Sequence, residues 1–336
     1  MYMAYELNRD DLGPLLLGGA FFGSGGGTIE SARHLAAHFK VGDYYATDKV
    51  KVVSVEEATE GDAVMVAYLG APQAINSATY PLGPIQAAAN VQQRLASQSR
   101  RLAYVIAPKS GALGFTVAAL VAAKLGFAVI DADGAGRAVP SLPMLTFAAT
   151  EIDPRPAFLV SQNGLSVALD VTPRAGGNGG ATHQRDVAAI VEQMMRPVVA
   201  DPEFGQFGGL AMWVMSPEDI GRATPIRGTL RRVLDFGRAV RRGQIGTVPQ
   251  LIGYLAEHCG ISARSFGARP ARLGQGRYER RLRRRQDRDS GRRARLHGDV
   301  PERIADRVGQ QARAAGGASA RQHRVFHRRG RPVDLQ

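Results

Sequence analysis

The residue string richest in chemistry is Asp131-Ala132-Asp133-Gly134-Ala135-Gly136-Arg137. It follows Phe127-Ala-Val-Ile130, a short apolar run that reads as a strand. In an open α/β sheet the carboxyl end of a parallel strand borders the ligand crevice. Side chains at i and i+2 of a strand point the same way. Asp131 and Asp133 can therefore share a task, as general base to a water or as metal ligands. Arg137 can lock one of them, or bind a substrate carboxylate through its two-pronged guanidinium. The plainer alternative is an Asp–Arg pair that staples a loop, its glycines supplying backbone angles that other residues resist.

A second candidate is Gly23-Ser24-Gly25-Gly26-Gly27-Thr28, which leads into a helix predicted from Thr28 to about Lys40. Free N–H groups and the helix dipole attract anions there, so Ser24, Gly25, Gly26, Gly27 and Thr28 are candidates to bind a substrate oxyanion, carboxylate or carbonyl. A dinucleotide site fits only loosely, because Thr28 stands where a third glycine belongs and the preceding segment reads as helix. The alternative is a glycine turn that lets two helices pack closely. Lys109 and Ser110 end the predicted strand Leu102–Ala107 and face the same crevice, with helix capping as the structural role for Ser110. His34 and His38 stand one helical turn apart, but the residues between them lack the glutamate of a zinc-protease helix. No cofactor is identified. A divalent metal stays open on two carboxylates and a histidine, against two solvated helix histidines. Cys259, the single cysteine, excludes an internal disulfide and any multi-cysteine zinc or iron–sulfur site.

The elements that must position these groups alternate. Leu12–Phe22 reads as a helix that Asp10 and Asp11 are placed to cap. Val50–Val55 and Ala63–Leu69 read as strands and Ile85–Ser99 as a helix. Leu102–Ala107, Ser110–Leu125 and Phe127–Ile130 then form a strand–helix–strand unit, whose strands are normally parallel. Beyond about residue 150, Phe158–Ser161, Leu165–Val171 and Leu210–Met215 read as strands, Asp186–Met195 and Thr229–Arg242 as helices. The expected fold is α/β: a mixed, largely parallel sheet with flanking helices in the N-terminal part, residues 1–150, and a more antiparallel α+β second part, residues 151–260.

Of the 336 residues 44% are hydrophobic and 22% charged, enough to bury a sizeable core. The longest smooth apolar stretch, Ala112–Ala123, is too short to span a bilayer. The start of the chain lacks the basic-then-apolar order of a signal peptide, so a cytoplasmic protein is expected. The net charge is +13, yet residues 261–336 alone hold 21 arginines, no lysine and seven acids. Residues 1–260 are therefore close to neutral and offer no basic stripe for nucleic acid. The tail, exemplified by Arg281-Leu-Arg-Arg-Arg285, has almost no apolar period. It reads as a solvated disordered tail, as a high-GC gene translated in the wrong frame, or as a nucleic-acid-binding arm, the last being the least favoured.

Four strings together resemble one family: Leu17-Gly-Gly-Ala-Phe-Phe-Gly-Ser-Gly-Gly-Gly27, Tyr68-Leu-Gly-Ala-Pro72, Ser110-Gly-Ala112 and Val129-Ile-Asp-Ala-Asp-Gly-Ala-Gly-Arg-Ala-Val-Pro140. The chain is similar over residues 10–260 to the S-methyl thiohydantoin desulfurase domain family, long called DUF917, whose genes often stand near hydantoinase and oxoprolinase genes. The resemblance implies hydrolytic exchange of sulfur for oxygen on a small cyclic amide or thioamide. In that reading Asp133 or Asp131 is the base or a metal ligand, the Gly25–Gly27 amides and Thr28 hold the developing anion, and Arg137 orients base or substrate. Asn76, Lys109 and Ser110 complete the substrate candidates. Two further readings stay beside it: a non-catalytic subunit for a hydantoinase- or oxoprolinase-like partner, and nucleic-acid binding through the tail. A homo-oligomer is the expected assembly.

The chain departs from the family pattern in three places. Lys109 stands where a Glu is usual, Gly114 where an Asn is common, and no Glu occurs from Gln73 to Tyr80. The resemblance also implies a smaller, β-rich C-terminal domain after residue 240, where this chain has its arginine-rich tail. Loss of that domain would expose apolar surface near Trp213 and the Thr229–Arg242 helix.

Overall fold

A computed structural model describes residues 4–23, 32–33, 49–70, 83–172 and 184–264. The elements in chain order are β1 (Tyr5–Leu7), α1 (Leu12–Gly23), β2 (Val50–Val53), β3 (Asp62–Gly70), α2 (Gly83–Ala96), β4 (Leu102–Ala107), α3 (Ala112–Leu125), β5 (Ala128–Asp133), α4 (Thr146–Ala149), β6 (Ala157–Ser161), β7 (Ser166–Leu169), α5 (Gln184–Ala200), β8 (Phe207–Met215), α6 (Pro217–Ala223), α7 (Thr229–Arg241) and α8 (Val248–Cys259). One sheet takes all eight strands in the order β1-β2-β5-β4-β3-β8-β6-β7. Its centre, β2-β5-β4-β3, is parallel. The flanks, β1 on one side and β8, β6 and β7 on the other, pair antiparallel. The fold is mixed α/β, largely parallel in the N-terminal half and antiparallel in the later strands.

Alternation along the strands divides the core into two layers. Val64, Val66, Val105, Ala107 and Val129 face the layer built with α1, α2, α3 and α7. Ala63, Met65, Ile106, Ile130 and Ala132 face the layer built with α4, α5 and α6. Asp131 and Asp133 share parity with Val129, which turns both carboxylates toward the first layer.

Small residues let α1 and α7 approach closely. A Cβ on Gly18 would lie 1.8 Å from the Val233 carbonyl oxygen, and one on Gly237 would lie 1.8 Å from that of Pro14. The apolar composition of α1 follows, since it is packed against both α7 and α3. Its entry differs from expectation. Asn8 caps a short 3-10 turn, Arg9–Asp11, and Asp11 closes the capping box by accepting the Asn8 N–H at 3.1 Å. The other Asp11 oxygen pairs with Arg238 of α7 at 2.6 Å.

Several strands differ in extent from the sequence reading: β2 and β7 are shorter, and two others are longer by three residues at one end. β5 runs through Asp133 rather than stopping at Ile130, and β8 begins at Phe207 rather than Leu210. The glycines at 208 and 209 hide the start of β8. Gly209 is required there because α2 begins against it: a Cβ would lie 1.9 Å from the Gly83 carbonyl carbon. Among the described residues the surface expected to be exposed near Trp213 is buried, while Phe21, stacked on Phe236 of α7, is exposed. Trp213 is fully buried, its indole N–H donating to the Ile152 carbonyl at 3.2 Å, and Leu230, Val233, Leu234 and Phe236 of α7 are buried too. β1, α4, α6 and α8 have no counterpart in the sequence reading. Among the described residues no helix is long and apolar enough to cross a membrane.

Candidate active site

Asp133 ends β5 with no solvent exposure and three donors around its carboxylate. Ser110 Oγ donates to Oδ2 at 2.6 Å, while Oδ1 accepts the N–H groups of Ala135 at 2.8 Å and Gly136 at 2.6 Å. The loop can fold back because Gly136 adopts φ +65°. Gly134 ties that loop to the end of β4, its N–H donating to the Pro108 carbonyl at 3.0 Å. Ser110 does not cap α3. The cap position is Gly111, without a side-chain hydrogen bond, and the helix starts at Ala112.

Asp131 does different work. Its Oδ1 accepts the N–H groups of Leu230 at 2.9 Å and Arg231 at 3.1 Å, in the first turn of α7. Its own carbonyl accepts the Gly228 N–H at 2.8 Å. A carboxylate from β5 thus caps a helix about a hundred residues further on, at the end where the dipole favours negative charge. Burial pushes its pKa above the ordinary carboxylate value, against the pull of those amides. Tyr5 packs beside it under the Arg231 guanidinium, 4.1 Å from the ring centroid, and burial together with the Asp131 charge pushes the phenol's pKa up. The two aspartates share a strand face but have separate partners. Arg137 is exposed and, among the described residues, pairs with neither, so the Asp–Arg lock and staple are both absent.

A cavity of about 160 Å³ opens at the carboxyl ends of β3 and β4. Ala67, Leu69, Leu113, Val117, Leu145 and Leu210 make it largely apolar, and its polar wall includes Lys109, Ser110, Ser141 and Glu192. Lys109 Nζ donates to the Val139 carbonyl at 2.7 Å. Burial pushes the Lys109 pKa down, opposed by the negative charge of Glu192. Glu192 comes from α5 and is 4% exposed. One of its oxygens accepts the Leu142 N–H at 2.8 Å and the other pairs with Arg196. The sequence reading missed Glu192. Its signal was its place beside Ala188, Val191 and Met195 on the apolar face of a predicted helix, where an acid needs a partner.

Gly114, one of the departures from the family pattern, also belongs to this wall. A Cβ there would lie 2.7 Å from the Lys109 carbonyl oxygen. The end of α1 reaches the same place, since a Cβ on Gly23 would lie 3.0 Å from Gly111 Cα. Ser24, Gly25, Gly26, Gly27, Thr28, Asn76, His34, His38 and the tail from 265 onward lie outside the described residues. Among the described residues no three His, Cys, Asp or Glu side chains stand together to hold a metal ion. Cys259 is half-buried, and burial pushes its thiol pKa up, which disfavours the thiolate.

The fold and cavity define an α/β protein with a small, mostly apolar crevice at the carboxyl ends of its parallel strands, the place where open α/β sheets hold ligands. The chain belongs to the S-Me-THD-like family, whose N-terminal domain matches residues 10–171 and whose C-terminal domain matches residues 185–286. That second match overturns the expected loss of the C-terminal domain. It begins at α5, the helix that carries Glu192, and runs into the arginine-rich stretch. A crystal structure of a protein from Chromobacterium violaceum is similar, with 58% sequence identity, a TM-score of 0.72, and coverage of 77% of this chain and 67% of that one. No curated protein matches the chain.

Proposed function

We propose that the chain is a hydrolase of the S-methyl thiohydantoin desulfurase type, exchanging sulfur for oxygen on a small thiohydantoin-like ring. The observation that carries this reading is the Ser110–Asp133 hydrogen bond at the wall of the cavity. With its proton directed to Asp133, Ser110 keeps oxygen lone pairs to accept a proton from a water held against the ring. Water oxygen bonds to the ring carbon that bears sulfur, and its proton passes through Ser110 toward Asp133. As water adds, the carbon–nitrogen π pair of the ring moves onto nitrogen, which takes the second water proton. The carbon–sulfur bond then breaks, Asp133 returns its proton through Ser110 to the departing methanethiolate, and the oxygen is left as a carbonyl. Lys109 in its charged form stabilises the negative charge that develops on the ring and on sulfur. The apolar walls bind the ring and exclude bulk water.

This keeps Asp133 as the ultimate base but moves the group that meets water to Ser110. Asp131 is a helix cap in this reading. Arg137, exposed at the loop, is left to meet a substrate carboxylate. The test is hydantoin formation from an S-methyl thiohydantoin by the purified protein, with Ser110→Ala and Asp133→Asn as comparisons. Product formation by wild type that survives both substitutions in folded protein would sink the assignment.

A second reading, a supporting subunit for a hydantoinase- or oxoprolinase-like partner, is favoured by Ile190 and Met194. They stand one turn apart on α5 and are 42% and 46% exposed. Activity found only in a complex, and lost on Met194→Lys, would decide for it.

A further inference from the structure

A second cavity, of about 640 Å³, lies between α7 and α8 and is polar where the first is apolar. Its wall carries Arg227, Arg231, Arg232, Arg238 and Arg242, together with Asp235, Tyr254, His258 and Cys259. Three of these arginines have named carboxylates. Arg227 pairs with Glu56, Arg238 with Asp11 and Asp235, and Arg231 lies 4.0 Å from Asp131. Arg232 and Arg242 have no carboxylate within ion-pair distance among the described residues. Asp235, the acid on the wall, is already turned to Arg238.

Collecting like charges on one helix face costs stability. In a concave wall the same charges focus a positive potential. Arg232 and Arg242 stand ten positions apart, about 15 Å of backbone along a helix, and so mark opposite ends of the groove. The Arg232 end is the richer. Arg227 and Arg231 flank it, and Arg232 acts on the Cys259 thiol across the groove, drawing its pKa down against burial.

We propose that the Arg232 end of the α7–α8 groove binds a small oxyanion of the phosphate or phosphate-ester class. The planar guanidinium of Arg232 matches two phosphate oxygens at once. Arg227 and Arg231 are held in place by Glu56 and by Tyr5, so the surrounding field exists before the ion arrives. The site is separate from the desulfurase reading and does not depend on it.

Cys259, the single cysteine of the chain, stands in the wall and serves as the reporter. The experiment follows alkylation of Cys259 by iodoacetamide in the full-length protein, with inorganic phosphate titrated at constant ionic strength against sodium chloride. Phosphate should slow alkylation saturably, and chloride should not. Arg232→Gln should raise the phosphate concentration for half-protection about tenfold. Arg242→Gln should leave it within about threefold, since its Cα stands about 15 Å along the helix from that of Arg232. Both positions are exposed, and an unchanged thermal midpoint checks that each variant folds. The proposal is overturned if phosphate gives no protection, if chloride protects equally, or if protection survives Arg232→Gln. Phosphate held only by the arginines of the tail leaves the thiol rate unchanged and overturns it too.

Discussion

Ser110 and Asp133, 23 residues apart in the chain, meet through a 2.6 Å hydrogen bond that joins the end of β4 to the end of β5. Asp133 is fully buried and Ser110 lines the cavity, so one residue supplies the charge and the other the contact. Asp133→Asn should lower kcat about 100-fold or more, because an amide accepts no proton from Ser110. The amide oxygen can still accept the Ala135 and Gly136 N–H groups, so the unfolding midpoint should move little. Full turnover in a folded Asp133→Asn variant would remove Asp133 from the mechanism.

Lys109 is proposed to act as a cation, and burial lowers its pKa below the ordinary value of 10.5. Its charged form is therefore lost at a lower pH than for a solvated lysine. Plots of kcat/KM against pH should show an alkaline limb falling below that value. Arg stays charged throughout, so Lys109→Arg should abolish the limb while keeping some activity. Glu192→Gln should move the limb further down, because the Glu192 charge is what opposes the shift. A limb unmoved by both changes would assign it to another group.

Asp131 should behave as a structural residue. Asp131→Ala removes the acceptor for two amides of α7 and should cost about 2 kcal/mol in urea unfolding, with turnover per folded molecule unchanged. The pH dependence has a definite sign. With its folded pKa raised above 3.8, the folded chain holds this proton longer than the unfolded chain does. Stability therefore falls as pH rises through the window above 3.8. Asp131→Asn keeps an acceptor and cannot ionise, so its stability relative to wild type should improve across that window. A stability difference between the two proteins that stays constant across that window would refute the assignment.

The helix contact at Gly18 gives a prediction free of any functional reading. Gly18→Ala drives a methyl group into the Val233 carbonyl and should cost about 3 kcal/mol. Gly221 in α6 has nothing within 4 Å of a Cβ, so Gly221→Ala should gain about 0.5–1 kcal/mol. Thermal unfolding of the two variants should move in opposite directions.

Much of the fold was legible because burial on both faces writes continuous apolar runs. Leu102–Ala107 and the parallel unit it starts show this most plainly. The end of β5 was less legible because polar residues occupy it, and the start of β8 because α2 demands glycine there. α8 could have been read from the Thr247–Gln250 capping box that opens it. At the entry to α1 the sequence points to Asp10 and Asp11 but not to Asn8, which opens the preceding 3-10 turn while Asp11 closes its capping box.

By itself the sequence determined the class of fold, the parallel unit that leads into Asp131 and Asp133, and the family. All three rest on local periodicity and on motifs contiguous in the chain. The tertiary structure decided which of two equivalent-looking aspartates stands behind the cavity. It did so by placing the amides of α7 at Asp131 and the hydroxyl of Ser110 at Asp133. It also brought Glu192 to Lys109 and gathered the arginines of α7 opposite Cys259. These pairings join distant positions in the chain, and hydrogen-bond and Coulomb energies depend on distance in space, which local sequence pattern does not encode.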